Sequence, residues 1–301
     1  MQVFIESDFI EKINDDFQKM TGVRTPALEV VVSVLTEYGN LKMYIDCSLQ
    51  KLKTLEDTNE IVARRISQFS GLVSLNKPLK ELYEDISNFE QVIVFTLDNE
   101  PWHSEAQKKG VLCFTYSNYN QKISDIINVC NSIKIDLSKR FQGWNIFGKL
   151  KDIPKNYLLL NDNYILKKNA INRNYVPLVK SILAKNIEAE VEVCTDFLND
   201  RTLASSINTI FDKFCSQFDD DYKLNARLVH LYQYRDLNFH DRIVYSNFFM
   251  IECPVGFNFD TRKTSNSKIT VDSIFDKFSY NRMNNHLRHL NNAKKSARII
   301  D

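Results

Sequence analysis

Glycine and proline are both scarce in this 301-residue chain, with seven and six copies. Their scarcity leaves little material for turn-rich β architectures and favours helices combined with strands. The sequence has no run of about 18 apolar residues, so no transmembrane helix is expected. Its first residues also lack the basic-then-apolar order of a signal peptide, and we therefore expect a cytoplasmic protein.

Sequence motifs of several common enzyme classes are also missing. The six cysteines form no CxxC pair, which argues against a zinc site or a disulfide framework and favours small core side chains. GxxxxGK[ST], GxGxxG and GxSxG do not occur. Their absence weakens interpretations of the chain as a P-loop protein, a dinucleotide-binding enzyme or a hydrolase with a nucleophile elbow.

Neither sign of charge is in excess, because the chain has 39 Lys and Arg residues and 38 Asp and Glu residues. The sum nevertheless hides a split. Residues 1–150 carry 17 basic and 20 acidic side chains, a net charge of −3, whereas residues 151–301 carry 22 and 18, a net charge of +4. The acidic half suits a bound cation, and the basic half suits an anion.

Predicted strands and helices alternate along the chain, which indicates two α/β domains. Gln91–Thr96 is a continuous apolar run of the kind found in buried parallel strands. Thr25-Pro26 predicts the start of a helix, because Thr is a favoured N-cap and Pro fits the first helical position. The spacing over Ser48–Phe69 predicts one helical stretch.

The domain boundary is predicted in residues 141–156, which hold two of the seven glycines and one proline. The resulting domains are 1–145, with a parallel sheet, and 155–301, an α/β sandwich that ends in a basic helical tail. In the second domain, Phe239–Tyr245 and Phe248–Cys253 are predicted to form a β-hairpin.

Acidic residues follow the predicted strands of the first half. Asp8 follows the first strand, Asp46 ends the second, and Asp98 and Glu100 follow the fourth apolar run. Because the carboxyl ends of parallel strands line the binding crevice of an open sheet, we expect these side chains to converge. Clustered carboxylates repel one another unless a cation such as Mg²⁺ or Mn²⁺ lies among them, and such an ion supports phosphodiester cleavage. Alternatively, the acids are turn and cap residues, with Asp8 capping the next helix.

The segment Thr96-Leu97-Asp98-Asn99-Glu100, followed by Ala106 and Gly110-Val111-Leu112-Cys113-Phe114-Thr115, resembles the Thr-x-Asp-x-acid, Ala and Gly-Val pattern of PIN-domain nucleases. The resemblance covers about residues 1–140. It implies a PIN-like fold and a metal-dependent ribonuclease, with Asp8, Asp98 and Glu100 as metal ligands.

The chain departs from this pattern after the second strand. The family places a glutamate there, whereas this chain has Cys47-Ser48-Leu49-Gln50-Lys51-Leu52, which contains no acid. Asp46 or Glu37 would have to substitute, although neither matches the motif, and a lysine near the metal would compete with it.

His240-Asp241-Arg242-Ile243-Val244-Tyr245-Ser246-Asn247 is the most specific string in the second half. On a strand, His240 and Arg242 point to one face and together suit a phosphate group. The string resembles the His-x-Lys-x-x-x-x-Asp motif of phospholipase D-type enzymes, with Arg242 replacing Lys and Asn247 replacing Asp. Because no second copy is present, hydrolysis is not expected unless a dimer supplies the second histidine. Alternatively, the string is a solvent-facing hairpin with a local ion pair.

Residues 239–259 are also similar to the phospholipase D-like C-terminal domain of MIT-domain proteins and to related domains of bacterial conflict and defence proteins. This resemblance covers about residues 155–265 and implies binding of phosphate-bearing groups, lipid headgroups included, without hydrolysis. The implied phosphate-binding residues are His240, Arg242 and Asn247.

The stretch from Arg282 to Arg298 carries five Lys and Arg residues and no acid. It is interpreted either as a phosphate-neutralising tail or as a helix that docks on its own domain.

Three functions follow from these patterns. The favoured one is a metal-dependent nuclease of a bacterial conflict or defence type, acting on RNA or single-stranded nucleic acid. The alternatives are a non-catalytic binding or sensor protein with both sites degenerate, and a membrane-surface or scaffold protein that binds anionic headgroups. Each is compatible with a homodimer or with a partner protein from a defence operon.

Overall fold

Buried apolar strands alternate with amphipathic helices along the chain, and the strands form two separate sheets. The structure is a computed structural model, and it describes residues 1–19, 24–86, 91–162, 165, 170–185, 187–195, 209–218, 222–230, 242–257, 264–295 and 298–300. The predicted α/β class is confirmed. The first of two units comprises Met1–Asn128 and Phe275–Asn281, and the second comprises Val129–Ile274 and Arg282–Asp301.

Five parallel strands form the sheet of the first unit. They are β1 (Gln2–Ile5), β2 (Lys42–Ile45), β3 (Leu72–Ser74), β4 (Val92–Thr96) and β5 (Leu112–Thr115). Their order is β3-β2-β1-β4-β5. Every residue of β4 is buried, as expected for a parallel strand covered on both faces. The carboxyl ends of all five strands therefore lie at one edge.

Helices connect these strands. They are α1 (Ser7–Lys19), α2 (Pro26–Glu37), α3 (Leu49–Thr58), α4 (Glu60–Gln68), α5 (Tyr83–Ile86), α6 (His103–Lys108) and α7 (Tyr119–Ser132), with a 3-10 turn at Leu79–Glu81. The predicted start of α2 is confirmed, since Thr25 Oγ1 accepts the N–H of Leu28 at 3.3 Å. The helical stretch predicted over Ser48–Phe69 is confirmed and consists of two helices, because Asn59 Oδ1 accepts the N–H of Val62 at 3.1 Å and caps α4.

The second unit contains a mixed sheet of eight strands within the described ranges. They are β6 (Lys134–Asp136), β7 (Tyr157–Asn161), β8 (Glu188–Thr195), β9 (Lys223–His230), β10 (Ile243–Ser246), β11 (Phe249–Glu252), β12 (Lys268–Ser273) and β13 (Arg298–Ile300). The order is β13-β9-β8-β7-β10-β11-β12-β6. β7, β8 and β9 are parallel, and the remaining pairs are antiparallel. The predicted hairpin is confirmed in its described part as the β10–β11 pair, whereas residues 239–241 of its first strand lie outside the described residues.

The other described elements of this unit are helical. They are a 3-10 helix (Trp144–Asp152), a π-helix (Ile171–Tyr175), α8 (Val176–Ile182), the helical residues 209–215 and α9 (Lys277–Lys294), which begins in the first unit. Segment 141–156, predicted as the domain boundary, holds the 3-10 helix, whose Trp144, Phe147 and Leu150 are buried. Residues 134–136 belong to the second sheet through the β6–β12 pair, although the first domain is predicted to reach residue 145.

Most of the cysteines are buried, as predicted for small core side chains. The buried cysteines are Cys47, Cys113, Cys130, Cys194 and Cys253. None of the helices that the structure describes combines the length and apolarity needed to cross a membrane.

Candidate functional sites

Acidic side chains gather at the carboxyl edge of the first sheet. Glu6 follows β1, Asp46 follows β2, and Glu100 follows β4. The pKa of Glu6 is raised, first by burial. The N–H of Leu97 donates to Glu6 Oε2 at 2.6 Å and lowers the pKa in part, whereas the charges of Asp46, Glu100 and Asp8 raise it further. The carboxylates are therefore close enough to act on one another. We call Glu6, Asp8, Asp46 and Glu100 the carboxylate edge.

A lysine from α3 lies against this edge. Lys51 Nζ is 3.2 Å from Asp8 Oδ1 and 3.4 Å from Glu11 Oε1, and it donates to Ser7 Oγ at 3.0 Å. Burial lowers the pKa of Lys51, but the hydrogen bond to Asp8 and the charge of Glu11 outweigh it, so that the pKa is raised. Lys51 belongs to the segment after β2 in which PIN-domain nucleases have a glutamate and this chain has none. Its ammonium supplies positive charge where a metal cation is predicted.

Three of the acids considered for the predicted Mg²⁺ or Mn²⁺ site have protein partners or are exposed. Asp8 is paired with Lys51, and Asp98 is exposed. Asp46 Oδ1 accepts a backbone N–H at 2.7 Å. Across the described ranges, no group of three or more His, Cys, Asp or Glu side chains is placed so that it could hold a metal ion. Of the predicted set of Asp8, Asp98 and Glu100, the charges of Asp8 and Glu100 both act on Glu6. Metal binding by this set stays a prediction.

A buried histidine anchors the loop that carries Asp98 and Glu100. His103 Nε2 lies 3.4 Å from Thr96 Oγ1, and His103 Nδ1 accepts the N–H of Glu100 at 3.4 Å. Burial, followed by the charge of Lys122, lowers the pKa of His103 to about 4. The imidazole is therefore neutral at pH 7 and serves to position the loop.

In the second unit, Arg242 lies directly before β10, next to the carboxyl end of β7. Its Nη1 donates to Pro254 O at 2.9 Å, and the N–H of Cys253 donates to its backbone carbonyl at 3.0 Å. The registers of β10 with β7 and β11, continued by one residue, place Arg242 between Asp162 and Cys253. The register of β7 with β8 places Thr195 beside Asp162. We call Cys253, Arg242, Asp162 and Thr195 the strand-edge row.

Hydrogen bonds and close packing fix this row. Asp162 is buried, and its Oδ2 accepts the Tyr175 hydroxyl at 2.6 Å and the Phe257 N–H at 3.1 Å. Burial and then the charge of Asp162 raise the pKa of Tyr175, so that the phenol stays protonated and donates. Gly256 has φ of +84°, and a Cβ there would lie 2.8 Å from Arg242 Cδ. A side chain at position 256 would therefore displace Arg242.

Asn247 does not share a site with Arg242, contrary to the prediction that His240, Arg242 and Asn247 bind phosphate together. The two residues flank β10, and five extended residues span about 16 Å. Asn247 is buried, and its Oδ1 accepts the N–H groups of Asn156 and Tyr157 at 3.1 Å each. Its amide thus holds the start of β7. His240 lies outside the described residues.

The basic C-terminal segment forms most of α9, and several of its cations pair with acids of their own unit. Arg282 lies 2.9 Å from Glu252 and 2.6 Å from Asp272. Lys294 forms an ion pair with Glu192, whose side chain is fully buried. These pairs favour the interpretation of the segment as a helix that docks on its own unit.

Several residues of these sites are not singled out by the sequence patterns. Glu6 and Asp162 each directly follow an apolar strand, which is the criterion that identified Asp8, and the same criterion would have found them. Tyr175 and Thr195 carry no comparable signal, because their positions in the row depend on pairing between distant strands.

Neither a protein-family model nor a curated protein matches the chain. Its class follows from fold and site alone. It is an α/β protein with a parallel and a mixed sheet, with a lysine at the carboxylate edge of the first and an arginine in the strand-edge row of the second.

Proposed function

We propose that this chain is a non-catalytic binding protein whose second unit recognises a small phosphate-bearing ligand. The position of Lys51 carries the non-catalytic part of the proposal. Its ammonium is paired with Asp8 and Glu11 at the edge where the resemblance to PIN-domain nucleases implies a divalent cation. A lysine there repels a second cation and, unlike a metal ion, does not activate water.

The surroundings of Arg242 support the ligand class. Arg242 is a partly buried cation in line with the carboxyl ends of β7 and β8, the kind of edge at which open α/β sheets bind ligands. Its planar guanidinium suits phosphate oxygens. Lys277, Arg282 and Lys294 of α9 are engaged in ion pairs, which reduces the basic surface offered to a long polyanion. A compact phosphate is therefore favoured over nucleic acid.

Thermal unfolding with added ligands tests both parts of the proposal. Inorganic phosphate and pyrophosphate, compared with sodium chloride at equal ionic strength, are expected to raise the Tm of the wild type. Arg242→Gln is expected to lose this rise, whereas Arg288→Gln, which removes an exposed arginine of α9, is expected to retain it. MgCl₂ and MnCl₂ are expected to leave the wild-type Tm unchanged. Equal responses of the two variants to phosphate, or none in the wild type, would contradict the ligand assignment.

A metal-dependent nuclease of the defence type is the second candidate, and the raised pKa of Glu6 favours it. Burial and then the charges of Asp46, Glu100 and Asp8 raise the pKa of Glu6, and acids placed so close together are electrostatically suited to a cation. Cleavage of labelled RNA and DNA with Mg²⁺ or Mn²⁺ is the test, with wild type compared against Asp98→Ala and Asp46→Asn. Metal-dependent cleavage that these variants abolish would replace the non-catalytic proposal.

A further inference from the structure

Thr195, at the end of β8, has a buried hydroxyl without a partner. The side chain is 0% exposed, and its Oγ1 has no hydrogen-bond partner in the described part of the chain. Such groups are uncommon in folded proteins, because burial removes the hydroxyl from water without replacing the hydrogen bonds it had there. Valine would fill nearly the same volume without this cost. The unpaired hydroxyl therefore points to a partner that is not part of the described chain.

The strand registers place this hydroxyl on the same face as Arg242. Asn161 of β7 pairs in register with Cys194 of β8, so that Asp162 pairs with Thr195 one residue further on. Arg242 pairs with Asp162 in the same way on the other side of β7. Side chains in register on neighbouring strands project to one face. A cation and an unpaired hydroxyl therefore lie on one face, two strands apart.

Asp162, the acid between them, already accepts two hydrogen bonds from donors of its own unit. Asp162 accepts the hydroxyl of Tyr175 and the N–H of Phe257. The hydroxyl of Thr195 can serve a different acceptor. Two strand spacings separate the backbones of Arg242 and Thr195, a distance of about 10 Å. A diphosphate, with acceptor oxygens at both ends, spans this gap better than a single phosphate does.

We propose that the Thr195 hydroxyl donates to one end of a diphosphate group whose other end is bound by Arg242. The strand-edge row then discriminates a diphosphate from a monophosphate, with Thr195 as the discriminating residue. This inference rests on the proposed phosphate ligand and names its class. No bond is made or broken at the row.

Titration calorimetry on the full chain, with inorganic pyrophosphate and inorganic phosphate as probes, tests the inference. The wild type is expected to bind pyrophosphate more tightly than phosphate. Thr195→Val is expected to weaken pyrophosphate binding about tenfold, the effect of one charge-assisted hydrogen bond, and to leave phosphate binding nearly unchanged. Thr195→Ser, which keeps the hydroxyl, is expected to restore pyrophosphate binding.

The Tm of the free protein separates a binding role from a structural one. Because the hydroxyl is unpaired, Thr195→Val is expected to keep or raise the Tm while it weakens pyrophosphate binding. A variant that loses Tm and affinity together, or one that binds pyrophosphate as the wild type does while Arg242→Gln fails to bind, would overturn the role of Thr195 alone. A wild type that binds neither anion would overturn the proposed function, and this inference with it.

Discussion

Lys51 is the residue that bears most directly on the proposed non-catalytic function. Its ammonium neutralises part of the charge of Asp8 and Glu11, as a bound metal ion would. An ammonium has no open coordination position, so it stabilises carboxylates without polarising water or a phosphate oxygen. In the proposed non-catalytic function, this side chain of α3 takes the place of a metal ion at the edge.

Reversing this charge is expected to create a response to metal. Lys51→Glu places a third acid beside Asp8 and Glu11, so the Tm is expected to fall through repulsion of like charges and to recover with MgCl₂ or MnCl₂. Differential scanning fluorimetry over a metal titration measures both effects. Lys53→Glu, the same substitution at an exposed position of α3, is the matched control and is expected to show no recovery. Equal metal responses in the two variants would disprove the special position of Lys51.

At the scale of the elements, a buried lysine follows the 3-10 helix Trp144–Asp152 and binds its last carbonyl groups. Lys155 is 0% exposed, and its Nζ donates to the carbonyls of Leu150 at 2.7 Å and Lys151 at 3.2 Å. These carbonyls belong to the last turn, where a helix leaves acceptors unpaired. Burial lowers the pKa of Lys155 to about 7, and the charge of Asp152 offsets only part of this effect.

This lysine predicts that the free energy of unfolding increases with pH. The pKa of Lys155 is about 7 in the folded chain, against 10.5 for an ordinary lysine. Between these values the unfolded state binds more protons, so raising the pH from 7 to 9 favours the folded state by about 2 kcal/mol. Urea unfolding at pH 7, 8 and 9 measures the slope.

Lys155→Met is expected to remove this contribution to the slope, whereas Lys149→Met, at an exposed position of the preceding 3-10 helix, is expected to keep it. The same pH dependence in both variants would show that another group causes it.

The sequence predicts helix ends well where the capping residue acts only on its own helix, as Thr25 does for α2. Asn59 is different, because its Nδ2 also donates to the carbonyl of Ile10 at 3.1 Å, and its place between two helices depends on α1. The 141–156 segment likewise depends on distant residues. Its glycines and proline predict a domain boundary, whereas its Trp144, Phe147 and Leu150 are buried in a core that local composition does not reveal.

For the whole molecule, the α/β class and the acidic sheet edge were predictable, because strand ends are local features of the sequence. The contents of the sites were not. The resemblance to phospholipase D-type enzymes groups Asn247 with Arg242, yet the two residues lie at opposite ends of β10. Lys51 and Thr195 reach their sites only through the order and register of strands that are far apart in sequence. The resemblances to the PIN-domain and phospholipase D-like families stay predictions.

The first unit is discontinuous, and its C-terminal segment contributes to its core. Tyr280 stacks on Tyr38 with ring centroids 4.3 Å apart, and both side chains are almost fully buried. Lys277 Nζ also donates to Glu37 Oε2 at 2.9 Å. Phe275–Asn281 is therefore part of the structure of the first unit.

Tyr280→Ala is expected to lower the free energy of unfolding of the first unit by about 3 kcal/mol, because it removes a buried aromatic ring. The chain has two tryptophans, and Trp102 lies in the first unit, so its fluorescence in a Trp144→Phe background reports that unit during urea unfolding. Phe278→Ala, at a position 74% exposed in the same segment, is the control and is expected to have little effect. Similar losses in both variants would argue against the Tyr38–Tyr280 contact as the cause.

The same discontinuity sets an order on folding during synthesis. The ribosome delivers Met1–Asn128 first, and residues 129–274 follow before the segment that completes the first unit is made. Domains generally begin to fold as they emerge, from the N-terminus onward. The parallel sheet can thus form early, but Tyr38 can stack on Tyr280 only after residues 129–274 have been translated. The face of Tyr38 that Tyr280 covers in the folded chain is therefore expected to stay uncovered until residue 281 has emerged.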